Sequence, residues 1–356
     1  MRLLLSLVLT VALISGCQNS NQKSADSGKS SSKVSLTAAG ATFPLPYYNM
    51  VFKNYTTATG VLVTYGGIGS GGGIRSLSDK VVDFGATDAY LSDVKMSEMP
   101  GEVVHIPTCM GAVVIAYNLP GVEELKLSNE LLEKIFMGEI TNWSDAAIKS
   151  NNQGVTLPNM EITFVHRSDG SGTTYIFSDY MSKISLKWAD AVGTGKSLKW
   201  PVGMGAKGNP GVAGTISQTE GAIGYIGSEF AFAQKIKTAK VENSSGAYVE
   251  PTIKSISTAA QGGIPADTRV MLTNSSDPAS YPISGFTWII LYKEQAYDKR
   301  SEAQALGTLA FLDWMIGEEA QSAASKVNYA PLPSEAVEKA KVILRSVTYN
   351  GVPLLK

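Results

Sequence analysis

Through most of the chain, short apolar runs alternate with segments whose apolar residues recur at helical spacing. Residues 35–39 read as a strand, broken at Gly40-Ala41-Thr42-Phe43-Pro44. Tyr47, Met50, Val51 and Tyr55 then mark one face of a helix ending at Gly60. A strand at 61–65 runs into a glycine-rich turn around Ser70, and a helix is predicted from Ile74 onward. Residues 81–86 form the next strand and empty into Thr87-Asp88. Further strands are predicted at 103–108, 111–117, 161–166, 222–226 and 285–292, with helices at 128–136, 173–184, 303–316 and 333–347. Residues 138–143 read as a turn whose Trp143 is a packing anchor, and 203–214 stands out only as glycine rich. This alternation predicts α/β layers with mainly parallel strands, in two lobes, with the chain returning to the first lobe near its end. The boundaries expected are 34–107 plus 284–356 for one lobe and 108–283 for the other.

The first residues follow a different pattern. Arg2 precedes an apolar run from 3 to 14 that is too short to span a bilayer and suits a secretory signal. It closes on Leu13-Ile14-Ser15-Gly16-Cys17, which resembles a bacterial lipobox, so residues 1–16 are expected to be a signal peptide and Cys17 the lipidated residue. Residues 17–33 then form a tether with almost nothing to bury, its sixteen residues after Cys17 reaching roughly 20–25 Å as a random coil. The expected location is extracytoplasmic, anchored by lipid to the envelope membrane.

The chain of 356 residues is 44% hydrophobic, enough for a sizeable core. A net charge of −1 gives no basic field for nucleic acid. Two cysteines and two histidines, none in metal-ligand spacing, argue against a metal site, and no cofactor is expected. Cys109 reads as a small buried hydrophobe.

The chemistry concentrates where predicted strands end. Arg167-Ser168-Asp169-Gly170-Ser171-Gly172-Thr173-Thr174 sets a fixed cation ahead of glycines, hydroxyls and a helix start, the ingredients of an anion cradle. Ligands of open α/β sheets bind at this C-terminal strand edge. Gly67-Ile68-Gly69-Ser70-Gly71-Gly72 fits the dinucleotide fingerprint, with Asp88 about twenty residues on. An exported protein has no supply of reduced nicotinamide, so the loop reads instead as a source of N–H groups for a small anion. The Arg167 motif lacks the lysine of a triphosphate-binding P-loop.

Four ordered motifs carry a family resemblance: Gly40-Ala41-Thr42-Phe43-Pro44, Gly67 to Gly72, Val82-Asp83-Phe84-Gly85-Ala86-Thr87-Asp88, and Arg167 to Thr173. Together they resemble the phosphate-binding proteins (PstS family) of bacterial phosphate ABC importers. The resemblance implies a two-lobed periplasmic-binding-protein fold of type II-like form, closing on one phosphate in the cleft. It implies contacts from Thr42, Phe43, Ser70, Asp88, Arg167, Ser171, Gly172 and Thr173, with Asp169 in support. It also implies a permease partner, a monomeric state and no enzymatic activity. His166 beside the arginine departs from the family pattern and is expected to be packed or solvated. Asp88 is the odd member, because a carboxylate facing an anion repels it unless the anion carries a proton. Phosphate does near neutral pH and sulfate does not. Other oxyanions and a phosphate-ester hydrolase are the rival readings.

Overall fold

The computed structural model describes residues 34–355, so the expected leader, lipidated Cys17 and tether lie outside the described residues. The strands that build the main sheet are β1 (Ser35–Gly40), β2 (Leu62–Gly67), β3 (Phe84–Thr87), β4 (Val103–Tyr117), β5 (Thr163–Arg167), β6 (Met204–Ala206), β7 (Ala222–Gly227), the short β8 (Lys237–Thr238) and β9 (Ser284–Tyr292). Their order is β2-β1-β3-β9-β4-β7-β5-β6, with β8 beside β4. Four helices frame the strand edge: α1 (Leu45–Thr59), α2 (Ser70–Ser78), α3 (Gly172–Ile184) and α4 (Gly208–Gln218).

Each end of the sheet is parallel, as expected: β1 with β2 and β3 in one half, β5 with β6 and β7 in the other. The centre corrects the expectation, since β9 runs antiparallel to β3 and β4, and β4 antiparallel to β7. Most of β4 and all of β9 are buried, so their sequences are near-continuous apolar runs, and such runs carry no record of strand direction. β4 is also one 15-residue strand where two were predicted. Its first part pairs with β9 and its last five residues, from Val113, pair with β7, so this strand links the two halves.

Pro107 has no N–H to give the ladder, and the register slips there: Thr287 faces Cys109 while Trp288 faces Pro107. The extra residue, Thr108, donates its hydroxyl to the Thr287 carbonyl at 3.1 Å. The strand predicted at 81–86 begins only at Phe84. Asp83 is instead a buried anchor, accepting the Thr37 N–H at 2.7 Å and pairing with Arg300. Val81 is largely exposed.

The other predicted strands and helices hold to within a few residues, and Trp143 is fully buried, its indole N–H donating to the Gly221 carbonyl at 2.9 Å. Cys109 is buried too, and burial raises its thiol far above the usual range. In the first half Phe52, Phe84 and Phe311 pack together beneath β1 and β3. In the second, Phe177 stacks on Tyr225 with ring centres 4.4 Å apart. Aromatic pairs of this kind contribute about 0.5–1.5 kcal/mol each beyond area burial. The Tyr225 hydroxyl emerges from that stack to accept the Arg167 backbone N–H at 3.1 Å and to bond Thr174 Oγ1 at 2.7 Å. The floor under the arginine loop is therefore tied by both stacking and hydrogen bonds.

Candidate functional site

Both parallel halves turn their C-terminal strand edges toward one place. β1 delivers Thr42 and Phe43, β2 delivers Ser70 at the start of α2, and β3 delivers Asp88. From the other half β5 delivers Arg167, followed by Ser171 as N-cap of α3, with Gly172 and Thr173 in its first turn. Ser171 Oγ accepts the Thr174 N–H at 3.0 Å, the bond a helix start needs. All of these residues but Gly172 are at most 4% exposed, and Gly172 is also buried.

Direct contacts join the halves. The Gly172 N–H donates to Ser70 Oγ at 3.0 Å, and the Gly71 N–H donates to the Gly170 carbonyl at 2.8 Å. A side chain at Gly172 would meet Ser70 Oγ at 2.5 Å and Asp88 Oδ2 at 2.6 Å, so only glycine fits. Gly69 has a φ of +87° and lies where a Cβ would strike Asp169 Oδ2 at 2.3 Å. Among the described residues, the N–H groups of Thr42, Phe43, Ser70 and Thr173 donate to no other protein group. Four unpaired donors in a buried place, two of them at helix starts, make a cradle for negative charge.

Arg167 and Asp169 form a two-point clamp, Nε to Oδ1 at 2.8 Å and Nη2 to Oδ2 at 2.6 Å. Asp169 Oδ1 also accepts the Gly208 N–H at 2.9 Å. Burial raises the Asp169 pKa, but the hydrogen bonds and charge of Arg167 outweigh it and hold the carboxyl below its ordinary value. Nη1 reaches Thr173 Oγ1 at 3.3 Å. Of the five N–H groups of a guanidinium, three are engaged here, which leaves one on each terminal nitrogen to face an anion. Asp169 thus holds the Arg167 guanidinium in place from one side.

Asp88 is held differently. Its Oδ1 accepts from Thr287 Oγ1 at 2.6 Å and its Oδ2 from Ser70 Oγ at 3.4 Å. Burial pushes its pKa up to about 7, against the lowering effect of the Thr287 hydrogen bond, the Arg167 charge, Ser70 and Lys196. A turn or cap aspartate would be exposed and local; this one is at the centre of the site.

Three contributors escaped the sequence reading. Asn209, fully buried at the start of α4, bonds Thr42 and Thr173. Its signal was a strand, a glycine and a helix start inside the 203–214 stretch, the same edge logic as the other loops. Thr287 lies inside an apolar strand and carried no local signal. Lys196 gives its carbonyl to the Ser171 N–H at 2.9 Å, and burial lowers its ammonium pKa to about 8 despite the pull of Asp88. His166 stacks on Trp200 at 4.8 Å and its pKa is lowered by burial, so it is a packed histidine. Among the described residues no cluster of three potential metal ligands occurs.

This fold, with a cradle where two α/β lobes meet, defines a periplasmic-binding-protein architecture, and the model of the PBP superfamily domain matches residues 25–319. Solved structures agree on the fold: an ancestral soluble variant of the human phosphate-binding protein (TM-score 0.70, 20% identity, 90% of this chain and 96% of that one) and a phosphate-binding protein from Stenotrophomonas maltophilia (0.65, 18%, 90% and 96%). Sequence relatives narrow the family. The phosphate-binding protein PstS of Haemophilus influenzae is 39% identical over 314 residues, covering 86% of this chain and 91% of that protein. PstS of Xylella fastidiosa (strain 9a5c) is 36% identical over 327 residues, with 90% and 88% covered. That of Methanocaldococcus jannaschii is 34% identical over 366 residues, with 96% and 93% covered. The chain belongs to the PstS phosphate-binding protein family.

Proposed function

We propose that this protein binds inorganic phosphate outside the cytoplasm and delivers it to the transmembrane subunits of an ABC importer. The observation that carries the reading is Asp88, a buried carboxyl bonded by Ser70 and Thr287 in a site otherwise made of donors. Unpaired N–H groups and two guanidinium N–H groups stabilise the anion's bare oxygens. Asp88 accepts the one proton that the anion carries. An oxyanion with no proton meets carboxylate repulsion at that point, so the site prefers phosphate to sulfate.

The contacts are Thr42, Phe43, Ser70, Asp88, Arg167, Ser171, Gly172 and Thr173. The lobes divide at 34–107 plus 284–356 and 108–283, with β4 and β9 as the connection. The protein works as a monomeric binder, not an enzyme, tied to the envelope membrane through a lipid on Cys17. Replacing Cys17 by alanine is expected to move the protein from the membrane to the soluble fraction; unchanged fractionation would refute the anchor.

The deciding experiment is calorimetric titration of ligand-stripped protein with phosphate and then sulfate at neutral pH, on the parent and on Asp88→Asn. The expected result is one phosphate per chain, no sulfate binding by the parent, and sulfate binding in the variant. A folded parent that ignores phosphate would overturn the function. A variant as selective as the parent would overturn only the role of Asp88.

A further inference from the structure

We propose that Asn209 fixes the Thr42 and Thr173 hydroxyls as hydrogen-bond donors toward the ligand, and so helps decide which protonation pattern of an oxyanion the site accepts. This rests on the oxyanion reading above. A hydroxyl has one proton to give and two lone pairs with which to accept. Thr42 Oγ1 accepts from the Asn209 backbone N–H at 3.1 Å and from its Nδ2 at 3.0 Å. Thr173 Oγ1 accepts from Asn209 Nδ2 at 3.0 Å and from Arg167 Nη1 at 3.3 Å. Both lone pairs of both oxygens are thereby used. The single remaining capacity of each hydroxyl is to donate, and among the described residues neither donates to a protein group.

The carboxamide cannot turn over to reverse this polarity. Asn209 is fully buried, and its Oδ1 accepts the Gly227 N–H at 2.9 Å, which holds the amide nitrogen on the side of the two threonines. A flipped amide would set two donors against each other at Gly227 and present an acceptor to the threonines. Asn209 also spans the halves, since Thr42 follows β1 and Thr173 lies on α3. One side chain therefore sets the same polarity in both walls. An oxyanion whose oxygens facing these hydroxyls are bare is accepted. One that carries a proton there finds no free acceptor for it, and one that carries an ester group offers a weaker acceptor, so both are disfavoured. Asp88 remains the one place where a ligand proton is welcome.

The test is phosphate titration of the ligand-stripped full chain carrying Asn209→Ala, the pair Thr42→Val and Thr173→Val, or all three changes, with Asn209→Asp measured from pH 5.5 to 8.5. Asn209→Ala in the parent is expected to weaken phosphate binding by roughly tenfold to a hundredfold. In the double-valine background the same change costs less than about threefold, because the groups it orients are gone. Asn209→Asp is isosteric: ionised, it accepts from both hydroxyls and turns them from the ligand, while protonated it keeps a donor. Its deficit relative to the parent is expected to shrink as pH falls. Equal losses from Asn209→Ala in both backgrounds, or an Asn209→Asp deficit constant with pH, would overturn the inference. If Asn209→Ala fails to fold, Asn209→Ser measured in the parent and double-valine backgrounds takes its place, with the same two outcomes. A parent that binds no phosphate overturns the functional reading, whereas a binding parent with additive losses overturns only the role of Asn209.

Discussion

Asp169 and Asp88 stand in the two walls of one buried site, and their surroundings drive them in opposite directions. Asp169 faces the edge of a guanidinium and accepts a further N–H from Gly208, so it is held charged. Asp88 faces hydroxyls, with no cation in hydrogen-bond contact, and burial pushes its pKa up to about 7. The same side chain thus does two jobs. One fixes a cation in place; the other sits where burial favours taking up a proton. A like pair in like surroundings would give either an over-charged site or one blind to protonation.

The largest expected effect lies in the Arg167 wall. Arg167→Ala removes the ligand's cation and leaves Asp169 as a mostly buried charge without its partner, a situation that costs about 3–5 kcal/mol. Phosphate binding is expected to vanish in calorimetry, with a clear fall in melting temperature. Arg167→Lys keeps the charge but cannot clamp Asp169 at two points and still face an anion with two N–H groups. It is expected to recover the fold better than the affinity. Equal recovery of both would show that charge alone matters here.

A smaller effect is expected from Asp169→Asn, which leaves the cation in place but loosens its aim. Binding is expected to weaken by about tenfold, in line with loss of a charged hydrogen bond, with phosphate-over-sulfate selectivity intact. That outcome separates the two aspartates, since Asp88→Asn is expected to change selectivity most. A loss of selectivity in both variants would collapse the distinction.

The smallest effect is in stability against pH, where the signs differ. Asp88 binds its proton more tightly folded than unfolded, so its contribution to stability falls as pH rises from about 4 to about 7. Asp169 has a lowered folded pKa, so its contribution is present above the ordinary aspartate value and is lost as pH falls through the folded one. Denaturant titrations of ligand-free protein are expected to show a flatter profile between pH 4 and 7 for Asp88→Asn. For Asp169→Asn they are expected to show less loss in acid. Glu229, buried with a pKa pushed up to about 8, adds a fall of the same sign as Asp88, so Glu229→Gln is the background in which to measure it.

The site was legible to the extent that its residues lie in loops between a patterned strand and a patterned helix. Thr42, Ser70, Asp88 and Arg167 each close a predicted strand, and that position is what gives them meaning. Asn209 closes a strand too, but β6 is only three residues long, and a strand that short has no period to detect. Thr287 bonds Asp88 beside the slipped register at Pro107, a feature of pairing between strands far apart in the chain and not of local sequence. The antiparallel centre escaped for the same reason: periodicity reports which face is buried, never which way a neighbour runs.

The seam between the halves includes a place where neither neighbour has a side chain. Gly71 and Gly170 meet so closely that a Cβ on either would lie 3.2 Å from the other's Cα. That is a few tenths of an ångström too tight, a doorstop rather than a collision. A methyl group there would hold the two jaws slightly ajar without touching any group that meets the anion. Apparent affinity scales with the fraction of molecules that can shut. On the proposed reading, a position that offers the anion no side chain is therefore expected to tune how readily it is released.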